Sequence, residues 1–303
     1  ENPAIDYPTL GSIVSHQIGD RELSLPSFIN LGTSGTTKRY HRPGILGADH
    51  GPLNLGGGRI ANQRARLDDA RVKSRFDLLR EVEKHTLEKY RHDAVKAHLS
   101  SYERAWKLMR SDKTAALDYK KEPKSILDLY GKSNFAKQCL LARRLIQAGV
   151  SFVEVGWGGW DHHGGAGRPV KKRSPELDHG MSVLLQDLKQ QGMLDTTLVI
   201  WMGEFGRGPK KGLGGGNNNG IGAGHFAAGW TTVLAGAGIK GGQVIGKMNR
   251  DCTEITDRPV SASDFFATIA QALDIDHTRE LVNHKGRPHY VASFGSQPIK
   301  ELF

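Results

Sequence analysis

The sequence predicts an α/β fold: a doubly wound, mostly parallel sheet flanked by helices, forming one domain over residues 1–303 with a helical insertion over 59–111. Three observations lead there. Strands and helices alternate through the second half of the chain, the order that builds parallel sheets. Two of the strand candidates are almost continuously apolar, as strands covered on both faces are. The stretch from Arg59 to about Ser111 instead repeats its apolar residues at threes, fours and sevens, the period of a helix.

Residues 1 to 58 are rich in Gly, Pro, Ser and Thr and hold one convincing strand, Ser27-Phe28-Ile29-Asn30-Leu31. In 59–111, Leu67, Phe76, Leu79, Val82, Tyr102 and Trp106 follow the helical period between runs of Lys, Arg, Asp and Glu, which mark solvated helix faces. A helix over about Asn134 to Ala148, with Phe135, Cys139, Ala142 and Ile146 on one face, ends at Gly149, since glycine takes the left-handed position of a C-terminal cap at no steric cost. It feeds a strand at 150 to 156.

Ser174-Pro175-Glu176 reads as cap, first-turn proline and acidic first turn of the next helix, which stops at Gly192. Strands follow at Thr197–Met202 and Thr231–Ala235, and a last helix starts near Ser263. The run Gly212–Gly220 is low-complexity and is expected to be a mobile loop.

Composition narrows the classes of function. The formal net charge of +10 suits nucleic acid, an anionic polysaccharide or a small acidic substrate. The bases are interspersed with acids and form no stripe interleaved with aromatics, which argues against nucleic acid. No apolar run reaches the ~18 residues of a membrane span. The sequence opens at Glu1-Asn2-Pro3 without a signal-peptide pattern, leaving a removed targeting segment open. Two cysteines, Cys139 and Cys252, are too few for a disulfide framework, and Cys139 is expected to be buried.

Three polar clusters follow three strand candidates, and a sheet would gather those strand ends at its ligand crevice. Gly158-Gly159-Trp160-Asp161-His162-His163-Gly164-Gly165 offers one carboxylate and two imidazoles; Gly203-Glu204-Phe205-Gly206-Arg207 offers an acid and an arginine; Gly224-His225-Phe226 offers a histidine. Carboxylate and imidazole together suit a divalent metal, zinc first, with manganese, calcium or iron as alternatives.

Asp161, His163 and His225 are the expected metal ligands and Arg207 an anion clamp, while Asp161 also reads as an Asx-turn residue and Glu204 as a helix N-terminal acid. Arg207 reads equally well as an ion-pair partner of Glu204. His162 reads first as a surface hydrogen-bonding residue and then as a general acid or extra ligand. Asp49-His50-Gly51 is a further cleft-lining candidate, whereas His179, His277, His284 and His289 have no partners suggested by sequence.

These stretches, with Gly149–Val155, Leu234–Gly242, Pro8-Thr9-Leu10-Gly11-Ser12, Cys139–Arg144 and Asp257-Arg258-Pro259-Val260, resemble the sulfatase-like bacterial family known as domain of unknown function 1501. The resemblance covers most of the chain. It implies an alkaline phosphatase-like fold and the chemistry of the alkaline phosphatase and sulfatase superfamily, which hydrolyses or transfers phosphate and sulfate esters over one or two metals.

By that resemblance Asp161 and His163 match an Asp and a His of one metal site, and His225 its second histidine. Glu204 stands where the superfamily has an Asp, which implies a second-site metal ligand or an acid that orients one. Phe205 stands where alkaline phosphatases have a histidine, and Gly224 where many relatives have an acid. The family's first strand, with another metal-binding Asp and a Ser, Thr or modified Cys nucleophile, has no counterpart here, so a further N-terminal segment or another chain is expected to complete the sheet. The implied substrate is an anionic small-molecule or glycan ester, and the implied location periplasmic or cell-surface. The alternative is a non-catalytic surface protein that keeps the fold and binds anionic polymer.

Overall fold

A computed structural model describes residues 7–32, 42–56, 67–90, 93–210, 222, 224–282 and 288–303, with the side chains of 87–97 excepted. The Gly212–Gly220 run, His284, and the side chains of Leu87 and Val95 lie outside the described residues. The fold is mixed α/β. The chain divides into two compact units, residues 1–124 with 138–157, and residues 125–137 with 158–303.

The first unit is built on a three-stranded parallel sheet of β1 (Phe28–Leu31), β2 (Leu53–Leu55) and β3 (Phe152–Val155), in the order β2-β1-β3. β1 and β3 fall where sequence places strands. The period of two sorts their side chains by face. Ile29, Leu31 and Leu55 join Leu108, Leu141, Leu145 and Val150 in one apolar core. On the other face Phe28 and Phe152 meet edge to face at 5.1 Å. Helix α1 (Leu10–Ile18), capped by Thr9, presses Gly11 so closely on these rings that a Cβ would lie 2.6 Å from Phe28 and 2.7 Å from Phe152.

Asn30, 1 % exposed, is in register with Asn54 and donates to its Oδ1 at 3.1 Å. A one-residue slip would turn Asn30 into the apolar core, so the amide pair fixes the register.

Helices α2 (Asp69–Tyr90) and α3 (Asp93–Met109) occupy the stretch whose period reads as helical. Phe76 packs on Tyr102 and Trp106 with ring centres 5.9 and 4.8 Å apart, while Val82 stays exposed. Helix α4 covers Lys124–Tyr130 and α5 covers Asn134–Gln147. α5 ends as its glycine foretells: Gly149 has φ +101, and Val150 N–H reaches back to Leu145 O at 3.0 Å. Burial pushes the Cys139 thiol of α5 up to about 12, while Cys252 is exposed.

The second unit departs further from expectation. Helix α6 runs Gly167–Gln190, so it begins seven residues before the cap read at Ser174. Ser174 is helical, its hydroxyl donating to Val170 O at 2.9 Å, and Pro175 lies inside the helix. The proline that sits where a missing N–H costs nothing is Pro169, in the first turn. Buried Ala166 starts the helix, with Gly222 packed against it, so packing and not a capping side chain sets this end. The other end matches sequence: Gly192 at φ +67, with Met193 N–H to Leu188 O at 2.8 Å. Within this unit α6 is anchored by the Tyr130 hydroxyl, which donates to buried Asp187 at 2.9 Å, and by Phe135 against Gly180.

Strands β4 (Val199–Trp201) and β7 (Val233–Ala235) fall near their expected places, but they pair antiparallel, which corrects the expectation of parallel pairing here. The reason is the connection. Parallel neighbours need a crossover, usually a helix, and the described residues between these strands hold only the short ribbon β5 (Gly206–Arg207) and β6 (His225–Phe226). Nor is this pair covered on both faces: Trp201 is 36 % and Val233 39 % exposed. Hairpins β8 (Lys247–Met248) with β9 (Ile255–Asp257) and β10 (Glu280–Val282) with β11 (Pro288–Tyr290) flank α7 (Ala262–Ala272), whose cap is Ser261.

The buried Glu122 carboxylate of the first unit pairs with Arg143 at 2.9 Å and with Arg144. Burial raises its pKa, and the hydrogen bonds and charges of Arg143 and Arg144 outweigh that and leave it lowered. Glu122→Gln leaves the Arg143 charge buried without its counter-ion and should cost about 3–5 kcal/mol in urea unfolding. Because the folded pKa is the lower one, the wild-type contribution is full above the ordinary carboxylate value of about 4.3 and lost as pH falls through the folded value. The variant should show a flatter acid limb; equal slopes would remove this pair from the account.

Candidate metal centre

The site is assembled from a glycine-bounded loop and a two-residue ribbon, both in the second unit. In the ribbon Arg207 stands directly opposite His225, and Gly206 opposite Phe226. Directly opposed residues share a face, so the arginine and the histidine point the same way. Further backbone bonds extend the ribbon: Gly208 N–H to Gly224 O at 2.9 Å and Gly222 N–H to Gly208 O at 2.8 Å. Gly206 has no room for a side chain, because a Cβ there would run into the Gly229 carbonyl.

The loop brings Asp161 to that face. Its Oδ1 accepts from Arg207 Nη2, lies 2.9 Å from His163 Nε2 and 3.6 Å from His225 Nε2. Arg207 also reaches the His162 carbonyl through Nη1 at 3.4 Å. The imidazoles of His163 and His225 are 5.1 Å apart, and the Phe205 ring lies 4.4 Å from that of His225. The Arg207 hydrogen bond, then that of His163 and the charges of both, hold the Asp161 carboxyl down at about 2. Its side chain is 67 % exposed, so its partners stabilise a carboxylate that solvent also reaches.

Each of Asp161, His163 and His225 offers one ligand atom, and these atoms lie within 4.8 Å of one another. Among the described residues this is the group of acids, histidines and cysteines close enough to hold an ion together. His225 Nε2 and His163 Nδ1 are buried without a hydrogen-bond partner, a costly state for a polar atom unless something else satisfies it. One carboxylate and two imidazoles fit a first-row divalent metal, and three protein ligands leave a coordination position for substrate.

The other expected site residues fall as follows. Arg207 pairs with Asp161 and not with Glu204. Glu204 is exposed and outside the three-residue group. His162 contributes its carbonyl to Arg207, and its Nε2 is a buried atom without a hydrogen-bond partner. His50 lies in the first unit, its Nδ1 3.3 Å from the Ser15 hydroxyl. His179 Nε2 is 3.2 Å from the Tyr130 carbonyl oxygen.

Sequence reading missed Arg173 of α6, whose Nη2 donates to Gly158 O at 2.6 Å and whose guanidinium carbon lies 5.2 Å from the Trp160 ring centre. No motif signals it: it is one of four bases within Arg168–Arg173, a stretch that the sequence places ahead of the helix start at Ser174.

Fold and cluster define a mixed α/β protein carrying a carboxylate–imidazole centre. The family model described as "Protein of unknown function (DUF1501)" matches residues 2–303, and the chain belongs to that family. No curated protein and no solved structure matches it.

Gly206→Ala tests the ribbon. Its Cβ meets backbone, which cannot rotate away, so the variant should lose about 1–3 kcal/mol or more in chemical unfolding. A stability equal to wild type would mean that β5 and β6 do not pair as described.

Proposed function

We propose that the chain is a metal-dependent hydrolase of the sulfatase and phosphatase type, acting on a phosphate or sulfate ester of an anionic small molecule or glycan. The observation that carries this reading is the convergence of Asp161, His163 and His225 on one point beside Arg207. The motif resemblance supports it, and with it an alkaline phosphatase-like arrangement of the fold and a periplasmic or cell-surface location. Among the described residues no helix is long and apolar enough to cross a membrane, which agrees with that location without requiring it.

Asp161, His163 and His225 would hold the ion, zinc first among the candidates. A divalent ion there supplies Lewis acidity for ester hydrolysis. Arg207 holds the Asp161 carboxylate turned to the imidazoles, and adds the positive charge that draws an anionic ester. His162, next in the chain to two of these residues, is the candidate for moving a proton to a leaving group. A role for Glu204 rests on the resemblance alone.

A second reading has its own support. Phe205 offers no ligand atom and stacks on His225, and Glu204 stays outside the group, which favours a surface protein with one structural metal that binds anionic polymer through its basic charge.

Metal analysis after reconstitution with Zn²⁺, followed by assays on aryl phosphates and aryl sulfates, separates the two. The hydrolase reading expects one ion per chain and turnover that His163→Ala abolishes. One ion per chain with no turnover on any ester favours the binding protein, and no ion at all defeats both.

A further inference from the structure

We infer that Arg173, which is not one of the three ligands, is the positioning residue of the loop that carries Asp161 and His163. The inference rests on the metal-site reading above.

Three consecutive residues meet its guanidinium. The Gly158 carbonyl accepts from Nη2 at 2.6 Å. Gly159 lies so close that a Cβ on it would be 3.1 Å from Nη1 and 3.2 Å from Nη2 and the guanidinium carbon. The Trp160 ring centre is 5.2 Å from the same carbon. Asp161 is the next residue. A guanidinium suits this task because it is planar: its edge donates in plane while its face lies on an aromatic ring, two things that a lysine ammonium cannot do together. Gly159 also has φ +87, so backbone conformation and space both demand glycine there.

Arg207 takes over where Arg173 stops, bonding the Asp161 carboxylate and the His162 carbonyl. Two arginines thus hold residues 158 to 162 in succession. At Gly164 and Gly165, by contrast, an added Cβ would meet nothing within 4 Å among the described residues. The entry clamp thus bears on the residues next to Asp161 and His163, and it sets the direction in which these two leave the chain. Arg173 stands on α6, itself fixed by the buried Tyr130–Asp187 bond. Groups that orient metal ligands without touching the metal typically change affinity by about 10–100-fold.

The test is Zn²⁺ titration of the full chain against a chromophoric chelator, for wild type, Arg173→Ala, Arg173→Lys and Gly159→Ala. Arg173→Ala should bind Zn²⁺ about 10-fold or more weakly, with a metal-free thermal midpoint close to wild type. Arg173→Lys should recover little, and millimolar methylguanidinium should restore affinity to the alanine variant, an effect that general loosening of the fold would not produce. Gly159→Ala, with Arg173 intact, should weaken binding as well, and it decides the matter if Arg173→Ala does not fold. Wild-type binding that neither alanine substitution changes by more than about twofold overturns this inference alone. No binding by wild type overturns the metal-site reading and this inference with it.

Discussion

One oxygen atom organises the site. Asp161 Oδ1 takes a charge-assisted bond from Arg207, lies 2.9 Å from one imidazole and faces a second. Without that negative charge, a guanidinium and two imidazoles would face one another with no counter-charge between them. The carboxylate is well exposed and avoids a large desolvation cost, so it can be surrounded by donors and remain ionised through the whole neutral range. The same economy explains why the cluster needs no deep pocket. Its order comes from short charged contacts on two pieces of backbone that glycine allows to come close.

The contrast with the first unit is instructive. There the order comes from burial: a three-stranded parallel sheet with aliphatic residues on one face, and two phenylalanines and a buried asparagine on the other. Asn30 lies in the sheet as Asp161 lies in the loop, a polar group whose partners specify an arrangement. Buried, it must be satisfied and so fixes register. Exposed, Asp161 is free to exchange partners. The two polar groups are told apart here by solvent as much as by chemistry.

Much of this was legible in the sequence, for local reasons. The strand at Phe28–Leu31 and that at Phe152–Val155 are β-rich runs bounded by turn residues, and Gly149 and Gly192 stop their helices by the left-handed conformation only glycine adopts cheaply. Asp161, His163 and His225 could be named because their side chains carry recognisable ligand chemistry. What escaped was set at a distance. Two residues of β5 and two of β6 are too short for any period, so the opposition of Arg207 to His225 could not be read. Ser174-Pro175-Glu176 has the look of a helix start, yet buried Ala166 under Gly222 begins the helix earlier. Glu204 was grouped with the ligands by its place after a strand, but the turn after Trp201 leaves it in solvent. Arg173 escaped because the same early start puts it on the helix, one residue before the place where sequence begins it.

The two cysteines, unremarked in the chemistry, separate the molecule for the experimenter. A thiol whose pKa is pushed up to about 12 offers almost no thiolate at neutral pH, so Cys139 is closed to alkylating reagents while the fold holds. Cys252, exposed on the turn between β8 and β9, is the one that a maleimide can reach. The natural sequence therefore accepts a single fluorophore or spin label, without mutagenesis, in the unit that contains the Asp161 cluster, and later appearance of a second reactive thiol would report that the other unit has opened.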